Sequence, residues 1–362
     1  MAVKIFHAAD LHMDSPFDAL SEKQAVVRRR EQRELLDRFS EIVEREKAQV
    51  VLLAGDILDS QSSYYETQEA LARTFAKMDA RIFIAPGNHD YYCAQSPYNS
   101  DIFSENVHIF KSGVFECVRL DDIKCRIWGA GFVSPHSDML LGGFAADESD
   151  YIDIGIVHGD MSGDAYNRIL AEDIAASNLD YLALGHVHTF SGIQKLGKTH
   201  YAYPGCPEGR GFDETGEKGV IVGTVSKGGC DLRFQTADGR QYRIIRIDLS
   251  DSQSAAAAIE RAIGHGCERD IVRIVLEGES DCEVNSDELA ETFSKSVFSL
   301  QIKNLVTPKR DIWESAGEST LKGVFLQSLL ERHNAEGAEK EKLDIAARYG
   351  LAALENREGR RV

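Results

Sequence analysis

Five short polar motifs, each closing an apolar run, constrain this chain more than any other feature of it. They are Asp10-Leu11-His12, Gly55-Asp56, Gly87-Asn88-His89-Asp90, His158-Gly159-Asp160 and Gly185-His186-Val187-His188. The runs before them, Val3 to Ala8, Val50 to Ala54, Arg81 to Ala85, Tyr151 to Val157 and Asp180 to Leu184, are rich in Val, Ile and Leu. Runs of this length fit parallel strands covered on both faces. Ligands in an open α/β sheet bind beyond the carboxyl ends of its strands. The Asp, His and Asn side chains are therefore expected together, along one edge of one sheet.

Such a set suits two divalent ions. Strand side chains alternate faces, so Asp10 and His12, at i and i+2, are expected to point the same way, as are His186 and His188. Carboxylate, imidazole and one amide oxygen, with no thiolate, suit Mn²⁺, Fe²⁺ or Zn²⁺ and argue against a structural zinc. The candidate ligands exceed what one ion needs. Two ions about 3.5–4 Å apart can share a carboxylate and clamp the attacking and leaving oxygens of a phosphoryl displacement. Water acidified by such an ion, to a pKa of about 7, is the expected nucleophile. Taken singly, each motif has a plainer explanation: an Asp after Gly forms turns, and Gly-Asn-His-Asp can be a loop. Five in this order, each after a strand, form a highly specific constellation.

The series resembles the calcineurin-like metallophosphoesterase superfamily, and all five signature blocks are present within roughly residues 1–225. Within it, the segment His7 to Phe17 (HAADLHMDSPF) is similar to the SbcD-like DNA repair exonucleases, specifically their YhaO branch. Tyr203 to Phe212 (YPGCPEGRGF), followed by Gly216 to Gly219 (GEKG), resembles the segment those nucleases carry after the last histidine block. Asp14 departs from the general pattern, where many relatives have Gly; the YhaO branch tolerates it. The resemblance implies an α/β fold: a two-sheet metallophosphoesterase sandwich flanked by helices (residues 1–249), a small α/β capping domain (250–310) and a helical C-terminal tail (311–362).

Carried over residue by residue, the resemblance assigns one ion to Asp10, His12, Asp56 and His188. The second falls to Asp56, Asn88, His158 and His186, with Asp56 bridging and Mn²⁺ the first choice of metal. His89 is implied to act on the departing oxygen rather than bind metal, with Asp90 orienting it. An imidazole beside a carboxylate is a suitable general acid near neutral pH. The implied activity is exonuclease or endonuclease cleavage of DNA in repair, with the tail docking an SbcC-like coiled-coil ATPase. A small-molecule phosphodiesterase or phosphatase on the same metals stays open. The cap and tail, which a minimal phosphatase lacks, and Asp90, where protein phosphatases carry Glu, weigh against it. An interaction protein with a vestigial site fits poorly, because every ligand position is filled.

Composition bears on the partners. A net charge of −18 opposes DNA binding, which phosphate contacts dominate. Bound cations would offset part of it, and a partner is expected to supply much of the grip; a homodimer is left open. Arg28, Arg29, Arg30 and Arg33 form the densest basic cluster and read more readily as a solvated helix face than as a phosphate track. No run reaches the roughly 18–20 apolar residues of a membrane span. Entry into a strand at Val3 leaves no room for a signal peptide. Seven cysteines without a Cys-x-x-Cys pair are expected reduced, in a cytoplasm.

The remaining pattern is coarser. Ser21 to Gln24 reads as a capping box opening a helix with Leu35, Leu36, Phe39, Ile42 and Val43 as its apolar stripe. Leu71, Phe75 and Met78 mark a second helix, and Gly113 to Leu120 with Ile123 to Trp128 a hairpin. Strands Gly219 to Val225, Asp231 to Gln235 and Gln241 to Asp248 are expected to complete the sandwich. Helix 254–263, strand 270–277, helix 286–296 and strand 299–306 form the expected cap. In the tail, Val324, Phe325, Leu329 and Leu330 make an apolar patch that either meets a partner or packs on its own domain.

Overall fold

Side chains on the first strand, β1 (Ala2–Ala8), divide by parity: Val3 and Ile5 enter one apolar cluster, Phe6 and Ala8 another. Both faces are covered from Ile5 onward, which is why apolar side chains occur at both parities, with His7 buried among them. The computed structural model describes residues 1–163, 166–264, 266–309 and 312–354. After β1 come α1 (Glu22–Glu46), β2 (Val50–Leu53), α2 (Tyr65–Lys77), β3 (Arg81–Ile84) and β4 (Val107–Ile109). Then follow β5 (Glu116–Leu120), β6 (Cys125–Gly129), β7 (Ile152–His158), α3 (Ala171–Ala176), β8 (Tyr181–Gly185), β9 (Gln194–Leu196) and β10 (Thr199–Ala202). A hairpin of β11 (Gly219–Ser226) and β12 (Gly229–Thr236) returns to the beginning of the chain.

Two six-stranded sheets result, in the orders β12-β11-β1-β2-β3-β4 and β5-β6-β7-β8-β10-β9. β1 to β4 are parallel, as are β6, β7, β8 and β10, with antiparallel strands at the margins. The sheets face each other through Val3, Ile5, Val50, Leu52 and Phe83 on one side and Ile127, Ile154, Ile156 and Tyr181 on the other. Helices α1 and α2 cover the outer face of the first sheet with Leu35, Leu36, Phe39, Leu71 and Phe75. Each such side chain stabilises the fold by roughly 1.5–3 kcal/mol relative to exposure. The helical stripe read from the sequence is thus core packing. Ser21 does form the capping box, its side chain accepting from Gln24 N–H while the Gln24 side chain reaches back.

Two expectations change. The motifs do not line one sheet: the first three end β1, β2 and β3, and the last two end β7 and β8 in the facing sheet. Apolar runs report burial on both faces but not which strands pair. Arg28, moreover, is not on a solvated face. It is fully buried, its Nη1 donating to Glu31 (2.5 Å) and Nη2 to Glu208 (3.0 Å), while Arg29 is half-buried and Arg30 exposed. A buried guanidinium persists only when paired, and this one ties α1 to the segment after the last histidine motif.

By compactness the chain divides into two units: Met1–Ile244 with His265–Arg273 and Ser294–Leu300, and Ile245–Gly264 with Ile274–Phe293 and Gln301–Val362. Both six-stranded sheets belong to the first. The later elements are β13 (Tyr242–Asp248), α4 (Ala255–Ile263), β14 (Ile271–Glu277), α5 (Ser286–Phe293), β15 (Ser299–Asn304), α6 (Leu321–His333) and α7 (Lys340–Leu354). The strand at 241–248 does not complete the sandwich. β13 belongs to a separate three-stranded sheet, β13-β14-β15, because alternation marks a strand without naming its neighbour.

Within the second unit, Leu326 of α6 and Ala347 of α7 are buried with Ala316. Phe325, Leu329 and Leu330 pack against them, whereas Val324 is 65% exposed. Most of the apolar patch in the tail therefore meets its own unit; residues 265, 310–311 and 355–362 of the expected cap and tail lie outside the described residues. All seven cysteines are free thiols. Among the described residues, no helix is long and apolar enough to cross a membrane.

Candidate metal centre

The first two candidate ligands do not sit on a strand. Asp10 and His12 follow the end of β1 in left-handed conformations (φ 55° and 43°), as does Asp56 after β2 (φ 51°); His186 after β8 has φ 109°. Alternation along a strand is thus not what aims them. Non-glycine residues adopt these angles at a cost of order 1–3 kcal/mol each and keep them only where the surroundings dictate it. Here the backbone is held on several sides. Asp10 N–H donates to Gly55 O (3.0 Å) and His12 N–H to Asp56 O (2.9 Å). Buried Gln32 of α1 donates to Leu11 O (3.3 Å) and His12 O (3.0 Å). Asp14, also left-handed (φ 72°), accepts from Tyr64 N–H (2.8 Å) and the Thr67 hydroxyl (2.6 Å). It caps the start of α2, whose own N-cap Tyr64 supplies no capping side chain, so the Asp has work that Gly could not do.

Two motif glycines let the walls close in. A Cβ on Gly87 would collide with the Asp56 carboxylate, and one on Gly185 with the Ala54 carbonyl of the facing sheet.

The seven expected ligands converge as two groups. In the first, His12 Nε2 and His188 Nε2 are 3.3 Å apart, His188 Nε2 is 3.8 Å from Asp10 Oδ1, and His12 Nε2 is 3.7 Å from Asp56 Oδ2. In the second, His158 Nε2 lies 3.0 Å from Asn88 Oδ1, 3.4 Å from Asp56 Oδ2 and 3.3 Å from His186 Nδ1. Ligands about 2.1 Å from a shared ion at ordinary coordination angles stand roughly 3.0–3.4 Å apart. Asp56 is the common member: Oδ2 faces both groups, while Oδ1 accepts from His89 N–H (2.9 Å). Asp10 reaches across the sheets, accepting from His186 N–H (3.0 Å).

The donor set fits cations. His158 Nδ1 donates to the Ala54 carbonyl (2.9 Å), which only accepts, so Nε2 is the atom aimed at Asn88 Oδ1 and Asp56 Oδ2, two acceptors that hold a positive charge there, either a proton or a metal ion in its place. Burial works against a charge on His158, yet Asp56 and Asp10 outweigh it and push its pKa up to about 9. Burial likewise opposes ionisation of Asp56, but His158, His12 and His89 hold its carboxyl well below the usual carboxylate range. Acceptors gathered around a carboxylate that stays ionised make a cation site.

His89 and Asp90 are placed differently from each other. His89 is exposed, and its Nδ1 donates to the Asp59 carbonyl (2.8 Å), leaving Nε2 for chemistry. Ligand-type atoms of His12, Asp56 and His89 lie within 4.8 Å of one another. Asp90 was expected to orient the His89 ring, but its buried carboxylate is used otherwise. It accepts from the N–H groups of Gly87 (2.7 Å), Asp56 (3.2 Å), Ile57 (2.7 Å) and Leu58 (3.2 Å) and from Tyr98 OH (2.5 Å). Burial and the nearby Asp56 charge push its pKa up. Asp90 shapes the Asp56 turn. Asp160, from the fourth motif, accepts from Ser162 in its own loop.

Three further residues escaped the sequence reading. His188 Nδ1 donates to Glu214 Oε1 (2.7 Å), and Arg210 Nη2 donates to the same oxygen (2.7 Å). Arg210 Nη1 donates to Asp59 Oδ1 (3.1 Å), which lies 3.2 Å from His12 Nδ1. Burial disfavours a charge on Glu214, but His188 and Arg210 hold its carboxyl well below the usual range. The available signal was position: Arg210 stands inside the YPGCPEGRGF segment and Glu214 just after it. A carboxylate that fixes a ligand imidazole typically contributes 10–100-fold to metal affinity. Glu214→Ala should therefore weaken Mn²⁺ binding by roughly that factor in a calorimetric titration. Unchanged affinity would show that Glu214 merely packs.

The model of the calcineurin-like phosphoesterase family matches residues 3–190, more than half of the chain, and spans all five motifs. An uncharacterized metallophosphoesterase, YhaO of Bacillus subtilis (strain 168), is 30% identical over 270 residues, covering 70% of this chain. The match spans 65% of that relative's length. On its motifs, its two-sheet fold and the family match, this chain belongs to the calcineurin-like phosphoesterases, metal-dependent hydrolases of phosphoesters with a dinuclear divalent metal site.

Proposed function

We propose that this chain is a nuclease that hydrolyses phosphodiester bonds in DNA, as an exonuclease or endonuclease in repair, with two Mn²⁺ ions and an SbcC-like ATPase as partner. One observation carries the reading. A segment that resembles one carried by the SbcD-like nucleases, Tyr203 to Phe212, is built with the residues just after it into the candidate metal centre: Cys206 Sγ donates to His188 O (3.5 Å), Glu214 accepts from the ring of His188, and Arg210 joins Glu214 to Asp59.

In this reading Asp10, His12, Asp56 and His188 hold one ion, and Asp56, Asn88, His158 and His186 the other. Two ions held there would polarise a phosphoryl oxygen and acidify water. The chain does the rest. Glu214 and the Ala54 carbonyl fix the His188 and His158 tautomers so that each Nε2 faces inward. The Asp59 carbonyl keeps the proton of His89 on Nδ1, so Nε2 of the imidazolium is the atom that protonates the leaving oxygen. Asp90 keeps the Asp56 turn in place through its backbone bonds.

The net charge of −18 favours a second reading, a small-molecule phosphodiester or phosphomonoester as substrate. One experiment separates the two. The Mn²⁺-loaded protein is assayed on labelled DNA and on a chromogenic phosphodiester, alone and with an SbcC-like ATPase. DNA cleavage stimulated by the ATPase and ATP is expected. Hydrolysis of the diester with DNA untouched under both conditions would leave the small-molecule reading.

The partner has its own test. All ligands precede Thr189, so removing residues 318–362 should spare diester hydrolysis and abolish ATP-stimulated DNA cleavage. Val324→Glu, at an exposed position, should act in the same direction. Stimulation that survives both changes would exclude the tail as the docking element.

A further inference from the structure

A ladder of aromatic rings leaves the metal centre on the side of the second ion group. Phe132, fully buried, meets the ring of His158 edge-on at 5.7 Å between centroids. His158 meets His186 at 5.2 Å, His186 meets Tyr166 at 5.2 Å, and Tyr166 stacks on His136 at 5.5 Å with the planes 16° apart. Exposure grows along the ladder. Phe132 and His158 are fully buried, His186 and Tyr166 are half-buried, and His136 is exposed. Val133 and Met139, on the same loop as His136, are 47% and 43% exposed.

The outer rungs are braced by the ligands themselves. Asn167, next to Tyr166 and fully buried, donates from Nδ2 to the backbone carbonyl of His158 (2.7 Å) and accepts through Oδ1 from Leu140 N–H (2.7 Å). Asp160 N–H donates to Asn167 O (2.9 Å). One side chain thus pins the loops carrying His136 and Tyr166 to a residue of the metal site. Bracing the ligand imidazoles needs the inner rungs only; Tyr166 and His136 extend the stack past them to the surface.

Resting on the nuclease reading, we propose that Tyr166 and His136 form the base-binding subsite, a platform whose outer, exposed rung His136 takes the nucleobase flanking the scissile phosphate while Tyr166 backs it. Every base has a π-face, so such a platform holds nucleic acid without reading its sequence. It also suits an acidic chain, because stacking supplies affinity that phosphate contacts here cannot. A base inside a duplex has no free face, so the platform takes an unpaired nucleotide, at a frayed end or in a single strand.

The test compares a deoxydinucleotide with the same diester lacking the base beside the scissile phosphate, on Mn²⁺-loaded full-length protein. His136→Ala and Tyr166→Ala should raise KM for the intact dinucleotide by roughly 5- to 150-fold, the range of one base–aromatic stack. The rise on the abasic diester should be several-fold smaller, kcat should move little, and Tyr166→Phe should restore the wild-type KM. Elemental analysis is run on every variant, since Tyr166 touches a ligand. Equal losses on both substrates, or loss of metal from His136→Ala, would overturn the platform and leave a simple brace. Wild-type protein that hydrolyses a chromogenic diester but neither nucleotide substrate would overturn the nuclease reading, and the platform with it.

Discussion

Asp56→Asn should be the most damaging single change at the metal centre. The Asn keeps the size of the side chain and an oxygen to accept from His89 N–H. It removes the charge that Oδ2 presents to both ligand groups, 3.7 Å from His12 Nε2 and 3.4 Å from His158 Nε2. Elemental analysis after Mn²⁺ loading should find two ions per chain in the wild type and fewer than one in the variant. Activity on a chromogenic diester should fall by more than the roughly 10–100-fold expected for a residue that only orients a ligand. One ion or none in the loaded wild type would end the two-ion account.

His89→Ala should separate binding from chemistry. With Nδ1 committed to the Asp59 carbonyl, His89 offers Nε2 alone, and its ring is exposed beside buried His12 and Asp56. If it protonates the leaving oxygen, the variant keeps both ions and its affinity for DNA but loses about 10²–10⁴-fold in cleavage rate. A leaving group that needs little protonation, such as nitrophenolate, should be affected less than a DNA 3′ or 5′ oxygen. Because His89 stands within 4.8 Å of His12 and Asp56 atoms, metal content is the decisive control. Loss of an ion together with activity would make His89 a ligand.

Much of this protein was legible in its sequence. Apolar runs ending in Asp, His and Asn marked five strands and the polar atoms beyond them, because burial on both faces and polarity at a strand end are local properties of the chain. The capping box at Ser21 and the stripe from Leu35 to Val43 were legible for the same reason. The α/β sandwich came from the resemblance those motifs carry, and the structure has it.

Tertiary structure alone decided the rest, because it depends on neighbours far apart in the chain. Asp10 meets His186 across 176 positions, and Glu208 neutralises an Arg28 that looked like part of a solvated face. The candidate ligands were expected to share a strand face but are aimed by left-handed turns, held in place by Gln32 and the loop after β2. Asp90 was expected beside His89 but closes a turn with five hydrogen bonds. The strand after β12 joined a separate sheet. Residue type and spacing declare which chemistry is available; which atoms meet is decided by packing, where a buried charge or unsatisfied amide takes the partner within reach.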